Sequence, residues 1–297
     1  MSLKIVVLAK QVPDTRNVGK DAMKADGTIN RAALPAIFNP EDLNALEQAL
    51  RLKDAHPGST VTILTMGPGR AAEIIREGLY RGADNGYLLT DRAFAGADTL
   101  ATSYALATAI RKIGDCDIII GGRQAIDGDT AQVGPQVAEK LGLTQVTYAE
   151  EILNVDKAAG KITVKRHIDG GVETVEGPLP IVITVNGSAA PCRPRNAKLV
   201  QKYKRALGAQ EKAAIEKEGA ALPYAALYEK YPYLNITEWS VADVNGDLVQ
   251  CGLSGSPTKV KTIQNISFQA KESKTLTGSD QDVEDLIVEL LANHTIG

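Results

Sequence analysis

The chain has 297 residues, 44% of them hydrophobic, which is enough to bury the core of one large or two small domains. Its formal net charge of -3 argues against a general nucleic-acid binder, and no apolar run approaches the ~20 residues that span a bilayer. The three cysteines, Cys116, Cys192 and Cys251, are far apart and indicate a reducing compartment. The first residues show no signal-peptide pattern, so we expect a cytoplasmic protein without membrane insertion. The scattered histidines lack metal-ligand spacing, and no metal site is predicted.

The first element is an apolar strand over Lys4–Ala9. A polar segment, 10–31, follows it and contains a turn signal at Asp26-Gly27 that could close a small hairpin. Asn39 is then a good N-cap with Pro40 at the first helical position, which predicts a helix from there to about residue 54.

Three more strands alternate with helices in the next hundred residues. The strands are predicted over 59–65, 86–90 and 117–120, each followed by a segment of helical periodicity. This alternation is typical of right-handed βαβ units, so we predict an α/β fold in which helices form layers on both sides of a mainly parallel sheet.

The fourth strand leads into a Gly-rich polar loop and a helix, DIIIGGRQAIDGDTAQVGPQVAEKLG, over residues 117–142. Gly128 permits a positive φ, and Thr130 or Asp129 can cap the helix. Backbone N–H groups at the helix start, together with its dipole, would form an anion site suited to a pyrophosphate. The alternative is an ordinary strand-to-helix connection with a good cap.

After residue 143 the pattern becomes strand-rich. A β-hairpin excursion is predicted near 145–178, with a last sheet strand over 179–185, so residues 1–190 are interpreted as one nucleotide-binding domain. Residues 186–205 are Pro-rich and basic, 206–221 look helical, and 280–292 form an amphipathic terminal helix. We interpret residues 191–297 as an arm that packs on a partner subunit, with a mobile tail as the alternative.

Five motifs in register identify a family. In chain order they are KIVVLAKQVPD, FNPEDLNALEQALRLKD, TMGP, GGRQAIDGDTAQVGPQVAEKLG and GLSGSPTKV, and together they resemble the β subunit of an electron-transfer flavoprotein. The resemblance covers nearly the whole chain, apart from an apparent insertion around residues 207–234. It implies a Rossmann-like, adenine-nucleotide-binding topology and an α subunit that carries FAD. The β subunit itself binds AMP or, in the electron-bifurcating branch, a second FAD.

The resemblance also assigns the nucleotide contacts. They are expected at Ala9, Asn39, Pro40, Asp42, Met66, Gly67, Gly122, Arg123, Gln124, Ala125, Asp127, Gly128, Asp129, Thr130, Ala131, Gln132, Val133 and Gly134. Small side chains at 128, 130, 131 and 134 leave room for a pyrophosphate, which favours FAD over AMP. Asp127 and Asp129 would repel phosphate, so we expect one to cap the helix and the other to pair with Arg123 or a ribose hydroxyl. Alternatively, Arg123 is a solvated surface charge.

The bifurcating branch implies a specific function. NADH would deliver a hydride to the β-subunit FAD, with the nicotinamide near residues 66–68 and 91–96. One electron would pass to ferredoxin or flavodoxin, the other through the α-subunit FAD to an acyl-CoA or related dehydrogenase. Because the flavin carries the chemistry, no catalytic residue is predicted. Leu199 falls at the leucine of the family's recognition loop, which contacts the dehydrogenase; a loop covering the α subunit is the alternative.

Two other functions stay open at this point. The first is an AMP-binding electron carrier between acyl-CoA-type dehydrogenases and a quinone reductase. The second is an adenine-nucleotide-binding module unrelated to redox chemistry, although this would leave the arm and GLSGSPTKV unexplained. Counting the flavins in the heterodimer separates the first from bifurcation.

Overall fold

The computed structural model describes residues 1–14, 35–258, 273, 275–293, 295 and 296, and the chain divides into two compact units, 1–260 and 261–297. The described strands are β1 (Lys4–Leu8), β2 (Gln11–Pro13), β3 (Ala36–Phe38), β4 (Thr60–Met66), β5 (Asn85–Leu89), β6 (Ile118–Gly122), β7 (Thr144–Asp156), β8 (Lys161–Ile168), β9 (Gly171–Pro178), β10 (Ile181–Val185), β11 (Leu207–Gly208) and β12 (Asn235–Trp239). The described α-helices are α1 (Pro40–Ala55), α2 (Ala72–Arg81), α3 (Thr99–Ile113), α4 (Val133–Leu141), α5 (Ala197–Tyr203), α6 (Ala209–Lys217), α7 (Ala225–Lys230) and α8 (Asp280–Ala292). None of these helices is long and apolar enough to cross a bilayer.

Ten strands of the first unit form one sheet in the order β11-β12-β5-β4-β1-β6-β10-β7-β8-β9. The pairings from β11 to the beginning of β7 are parallel. The remaining strands, β7 to β9, pair antiparallel and extend one end of the sheet. The predicted α/β fold with a mainly parallel sheet is therefore confirmed.

Helices cover both faces of this sheet, as the side chains of β1 show. Ile5 and Val7 belong to a buried cluster that includes residues of α1 and α2, whereas Val6 and Leu8 belong to a cluster with α3 and α4. A strand that is buried on both faces needs apolar residues at every position, which explains the continuous run IVVL. The three-layer architecture follows from these two clusters.

The strand order reverses at β1, which places a crevice at the carboxyl edge of the sheet. From β1 the chain proceeds outward through β4 and β5, then returns to the other side of β1 with β6 and β10. Ligands of open α/β sheets bind outside the carboxyl ends of the strands at such a switch point. The loops that follow β1 and β6 border this position.

Two elements differ from the sequence prediction or extend it. β2 and β3 pair antiparallel after β1, as expected for a small hairpin, but the turn predicted at Asp26-Gly27 lies outside the described residues. No strand was predicted over residues 235–239, yet β12 adds a parallel strand there next to β5. The sequence NITEW does not alternate strongly, so its pairing depends on the neighbouring strand and not on its own pattern.

The C-terminal part contains both predicted helices, one of them with shorter bounds. α6 covers only Ala209–Lys217 of the predicted 206–221, and the first compact unit runs past the boundary predicted near residue 190, to residue 260. In the second unit, α8 has the predicted bounds, and the Ser279 hydroxyl caps it by accepting the Asp282 N–H at 3.2 Å. No residue of α8 is buried, and packing of residues 191–297 on a partner stays a prediction.

Candidate nucleotide site

The first turn of α1 contacts the loop after β6 through three side chains, from Asn39, Glu41 and Asp42. Their partners are backbone and side-chain groups of residues 122–126, some eighty positions later in the chain. Two of the predicted segments, 39–42 and 122–134, are therefore brought together at the carboxyl edge. These contacts fix the path of the loop before any ligand binds.

Asp42 connects the ends of β1 and β6. It is 7% exposed, and its Oδ2 accepts the Lys10 backbone N–H at 2.8 Å while Oδ1 accepts the Gly122 N–H at 2.9 Å. Burial raises the pKa of Asp42 to about 7, although these hydrogen bonds oppose the shift. A Cβ on Gly122 would lie 2.5 Å from Oδ1, so glycine is required there for α1 to approach β6. Direct contact of Asp42 with a nucleotide stays a prediction.

Asn39 occupies the position before α1, but its side chain does not cap the helix as predicted. It is fully buried, its Nδ2 donates to the Gln124 carbonyl at 2.9 Å, and its Oδ1 accepts the Ile126 N–H at 3.2 Å. The loop after β6 supplies both a donor and an acceptor to this amide, which a helix terminus cannot do. The helix start is instead fixed by Pro40 at the first position.

Arg123 pairs with Glu41, with neither Asp127 nor Asp129. Its Nη2 lies 3.0 Å from Glu41 Oε1, and the second Glu41 oxygen accepts the Gln124 N–H at 2.9 Å. Arg123 is therefore ion-paired and not a free surface charge, and it does not pair with an Asp of the loop; pairing of an Asp with a ribose hydroxyl stays a prediction. Glu41 was not among the predicted site residues.

The two loop carboxylates also have partners that differ from the prediction. Asp127 accepts both of its hydrogen bonds from Lys10 Nζ, at 2.7 and 2.9 Å, and Asp129 accepts from Gln124 Nε2 at 2.9 Å. Neither carboxylate caps α4, which begins at Val133 with no side-chain cap. The Lys10 ammonium offsets the negative charge of Asp127 beside the loop, which reduces the electrostatic repulsion of a phosphate group.

The loop adopts its left-handed conformations at unexpected residues. Positive φ was predicted at Gly128, but it occurs at Asp129 (49°) and Ala131 (52°). Non-glycine residues with positive φ are strained by about 1–2 kcal/mol each and are enriched at ligand sites. Sequence reasoning placed the positive φ at Gly128 because glycine adopts a positive φ without strain.

This backbone forms a hollow suited to an anion. Ala131 has φ 52° and the next residue, Gln132, has φ -100° and ψ -29°. Adjacent residues with φ of opposite sign form a nest, in which successive N–H groups point toward the same space. The nest leads directly into α4, a nine-residue helix whose N-terminal dipole also favours negative charge. A pyrophosphate fits this arrangement chemically.

Two glycines of the loop, Gly128 and Gly134, have different surroundings. A Cβ at Gly128 would meet no atom within 4 Å, so open space lies beside this residue. A Cβ at Gly134 would lie 2.3 Å from Thr184 Cγ2, so glycine there allows α4 to pack on β10. Gly128 is exposed to solvent, so the open space beside it is that of a surface glycine, and space kept there for a ligand stays a prediction.

The other predicted positions lie at neighbouring strand ends. Ala9 is buried just after β1, and its N–H donates to Leu64 of β4 at 3.0 Å. Met66 ends β4, and the Gly67 N–H donates to Leu89 of β5 at 3.0 Å. These residues share the carboxyl edge: Ala9 follows β1 itself, whereas Met66 and Gly67 follow β4, on the far side of β1 from the loop. Thr99, which donates to the Gln132 side chain at 3.0 Å, was missed by sequence reasoning and connects the loop to α3.

Leu199 lies on α5 and is only half-buried, because it packs partly against the main hydrophobic cluster. The segment before α5 is fixed by ion pairs: Arg193 donates to Glu47 through its N–H, Nε and Nη2 at 2.9–3.1 Å, and Arg195 pairs with Glu77 at 2.7 Å. Burial opposes ionisation of Glu47, but the hydrogen bonds from Arg193 outweigh it and lower the pKa of Glu47. These ion pairs attach the segment before α5 to α1 through Glu47 and to α2 through Glu77.

A Rossmann-like strand order, a switch point at β1 and an anion-binding nest at the start of α4 together define an α/β protein of the nucleotide-binding class. Comparison with known proteins gives the family. Residues 26–222 match the model of the electron transfer flavoprotein domain. The chain therefore belongs to the electron transfer flavoprotein family.

Individual relatives indicate which subunit type of the family the chain represents. It is 43% identical over 268 residues to the electron transfer flavoprotein subunit beta of Megasphaera elsdenii, covering 88% of this chain and 87% of the relative. It is 40% identical over 297 residues to CarD of the caffeyl-CoA reductase-Etf complex of Acetobacterium woodii, covering 99% and 100%. It is 41% identical over 300 residues to the acryloyl-CoA reductase electron transfer subunit gamma of Anaerotignum propionicum, again covering 99% and 100%. The chain is a β-type electron transfer flavoprotein subunit.

Proposed function

We propose that this subunit binds a complete FAD and works in NADH-dependent electron bifurcation together with an α subunit. The observation that carries the proposal is the nest at Ala131 and Gln132, which opens beside the empty space at Gly128 and in front of α4. A nest at a helix N-terminus binds a phosphate group of either nucleotide, and the open side of Gly128 leaves room for the second phosphate that FAD carries. The names of the relatives from caffeyl-CoA and acryloyl-CoA reductase systems support the same branch.

The chain's own residues bind and orient the nucleotide. Asn39, Glu41 and Asp42 hold the loop after β6 in a fixed path, so its N–H groups are positioned before the ligand arrives. Lys10 neutralises Asp127 beside the loop. When bound, FAD supplies the redox chemistry, accepting a hydride from NADH and passing its electrons on singly. No side chain of this subunit needs to act as an acid or base.

The proposed partners follow from the same function. The α subunit carries the second FAD, ferredoxin or flavodoxin receives the low-potential electron, and an acyl-CoA or related dehydrogenase receives the other. We expect the heterodimer to be cytoplasmic. The alternative is a carrier that binds AMP structurally in this subunit and passes electrons between acyl-CoA-type dehydrogenases and a quinone reductase.

Cofactor content separates the two possibilities. The heterodimer is produced with its α subunit, denatured, and its released FAD and AMP are quantified against protein concentration. Bifurcation requires two FAD per heterodimer and NADH-dependent reduction of ferredoxin that also needs the dehydrogenase. One FAD with one AMP would overturn the proposal and support the carrier.

We expect Leu199→Ala to slow electron delivery to the dehydrogenase about tenfold, because a buried apolar side chain at an interface contributes about 1–2 kcal/mol. The heterodimer should keep its flavin content, since Leu199 lies on α5, away from the loop after β6. The rate of dehydrogenase reduction is measured against dehydrogenase concentration. Val200→Ala, on the same helix, is the matched control. An unchanged rate of electron delivery by Leu199→Ala would support the alternative, in which the loop that contains Leu199 covers the α subunit.

A further inference from the structure

Five of the nine tyrosines of the chain lie between residues 203 and 233. We call the surface around them the tyrosine patch, formed by Tyr203, Tyr224, Tyr228, Tyr231 and Tyr233. Tyr224 is 57% exposed and Tyr233 is 42% exposed, whereas Tyr203 and Tyr228 are buried at 7% and 9%, so Tyr224 and Tyr233 supply most of the ring surface that is open to solvent in this subunit. None of these residues contributes to the nucleotide site.

A cation lies over each ring of the patch. Lys202 Nζ is 4.6 Å from the Tyr203 ring centroid and 4.8 Å from that of Tyr233, and the two rings meet edge to face at 5.7 Å. Arg205 lies 4.1 Å over Tyr224. Lys212 and Lys230 lie over Tyr228 and Tyr231, at 4.1 and 5.3 Å. Cation–π pairs occur about once per 70–80 residues on average, so this segment is unusually rich in them.

The patch also carries positive charge that the subunit does not neutralise. Residues 198–233 contain seven Lys or Arg and four Glu, in a chain whose net charge is -3. Within the described part of the chain, Lys198, Lys202, Lys204, Arg205 and Lys230 form no ion pair with a carboxylate, whereas Glu211 is engaged by Arg76 at 2.8 Å. Positive potential at such a surface attracts an acidic partner.

The patch is continuous with the helix that carries Leu199. Tyr203 is the last residue of α5, and the Tyr228 hydroxyl donates to the Arg205 carbonyl at 2.9 Å, which joins α7 to the chain that leaves α5. The patch therefore adjoins the helix that carries Leu199. Tyr and Arg side chains that are already ordered lose little conformational freedom on binding and are enriched at protein interfaces.

We propose that the tyrosine patch docks an acidic surface of the dehydrogenase that exchanges electrons with the heterodimer. This rests on the proposed function, because it extends the recognition surface around Leu199. Attraction between the lysines and acidic side chains of the dehydrogenase orients it, and the exposed Tyr224 and Tyr233 rings supply the apolar contact. The segment predicted as an insertion, 207–234, thereby gains a role in partner choice.

The test compares two double variants of the complete heterodimer that lose the same charge. Lys202→Gln/Lys204→Gln neutralises the patch, and Lys161→Gln/Lys165→Gln neutralises two lysines of β8, at the opposite end of the sheet. The probe is the dehydrogenase that the wild-type heterodimer reduces. Its Kd is measured by titration at low and high ionic strength, with NADH oxidation by an artificial dye as the basal activity.

The patch variant should bind the dehydrogenase about tenfold more weakly at low salt and show a smaller salt dependence than the wild type, because two of the five unpaired cations are removed. The β8 variant should bind as the wild type does, and both should keep the dye activity. Tyr224→Ala, a truncation of the most exposed ring, should weaken binding without removing the salt dependence. It provides a second readout where the lysine variant folds poorly.

Equal binding by the two lysine variants would overturn the proposal. Patch-dependent binding to phosphatidylglycerol vesicles, with dehydrogenase binding unchanged, would also overturn it and assign the patch to a membrane surface. If the wild-type heterodimer reduced no dehydrogenase at all, the proposed function would fail instead, before the patch is tested.

Discussion

Replacing Asp42 with Ala should lower the free energy of unfolding by about 2–6 kcal/mol, because it leaves two backbone N–H groups without an acceptor at about 1–3 kcal/mol each. Those groups belong to Lys10 and Gly122, and they join the ends of the two central strands β1 and β6 to the start of α1. Denaturant unfolding of the heterodimer, followed by circular dichroism, measures the loss.

The stabilising effect of Asp42 should depend on pH. Burial raises its pKa to about 7 from the ordinary value of 3.8. Between these two values the folded protein holds a proton that the unfolded chain releases, so the effect is fully present below about pH 4 and falls as the pH rises to about 7. The slope reaches about 1.4 kcal/mol per pH unit. The difference between wild type and Asp42→Ala should therefore be larger near pH 5 than near pH 8.

Asp42→Asn is the matched control, since it keeps the size of the side chain and one acceptor oxygen but cannot ionise. It should lower the free energy of unfolding by less than the Ala substitution does, about 1–3 kcal/mol. The stability of this variant should also lack the pH dependence that Asp42 gives the wild type. A loss under about 0.5 kcal/mol in Asp42→Ala, within the range of ordinary surface substitutions, would show that the strand ends are joined by other contacts.

The order of the elements could be predicted from local patterns. Continuous apolar runs such as IVVL and IIIG, each followed by a helical period, define strands buried on both faces, and their alternation with helices defines the parallel sheet. The motif from Gly122 to Gly134 was located correctly at the carboxyl edge for the same reason. These signals depend on residues that are close together in the sequence.

The partners within the site could not be predicted in this way. Asn39 and Gln124 are 85 residues apart, and Glu41 and Arg123 are 82 apart, so only the folded sheet brings them into contact. Local rules gave Asn39 a capping role, and tertiary structure offered its amide better partners. The strain at Asp129 was missed because local rules place positive φ at glycine.

The strained loop gives the second prediction, which concerns nucleotide binding. Ala131→Val should weaken binding of the β-subunit nucleotide about tenfold or more, since a β-branched residue resists φ 52° and the cost of ~1–2 kcal/mol for a left-handed residue is a minimum. The loop would move Ala131 to negative φ, and its N–H group would turn away from the nest. Isothermal titration of the nucleotide-depleted heterodimer with FAD, and separately with AMP, measures the change.

Ala131→Gly tests the same position with a residue that favours positive φ. Glycine adopts positive φ freely, which relieves the strain of the folded loop, while the more flexible unfolded chain offsets this by about 0.4–1 kcal/mol. The Gly variant should therefore bind nucleotide as tightly as the wild type, with nearly unchanged stability. Normal binding by Ala131→Val would place the phosphates elsewhere on the carboxyl edge. Equal losses in both variants would show that the Ala131 side chain, and not the direction of its N–H group, contacts the ligand.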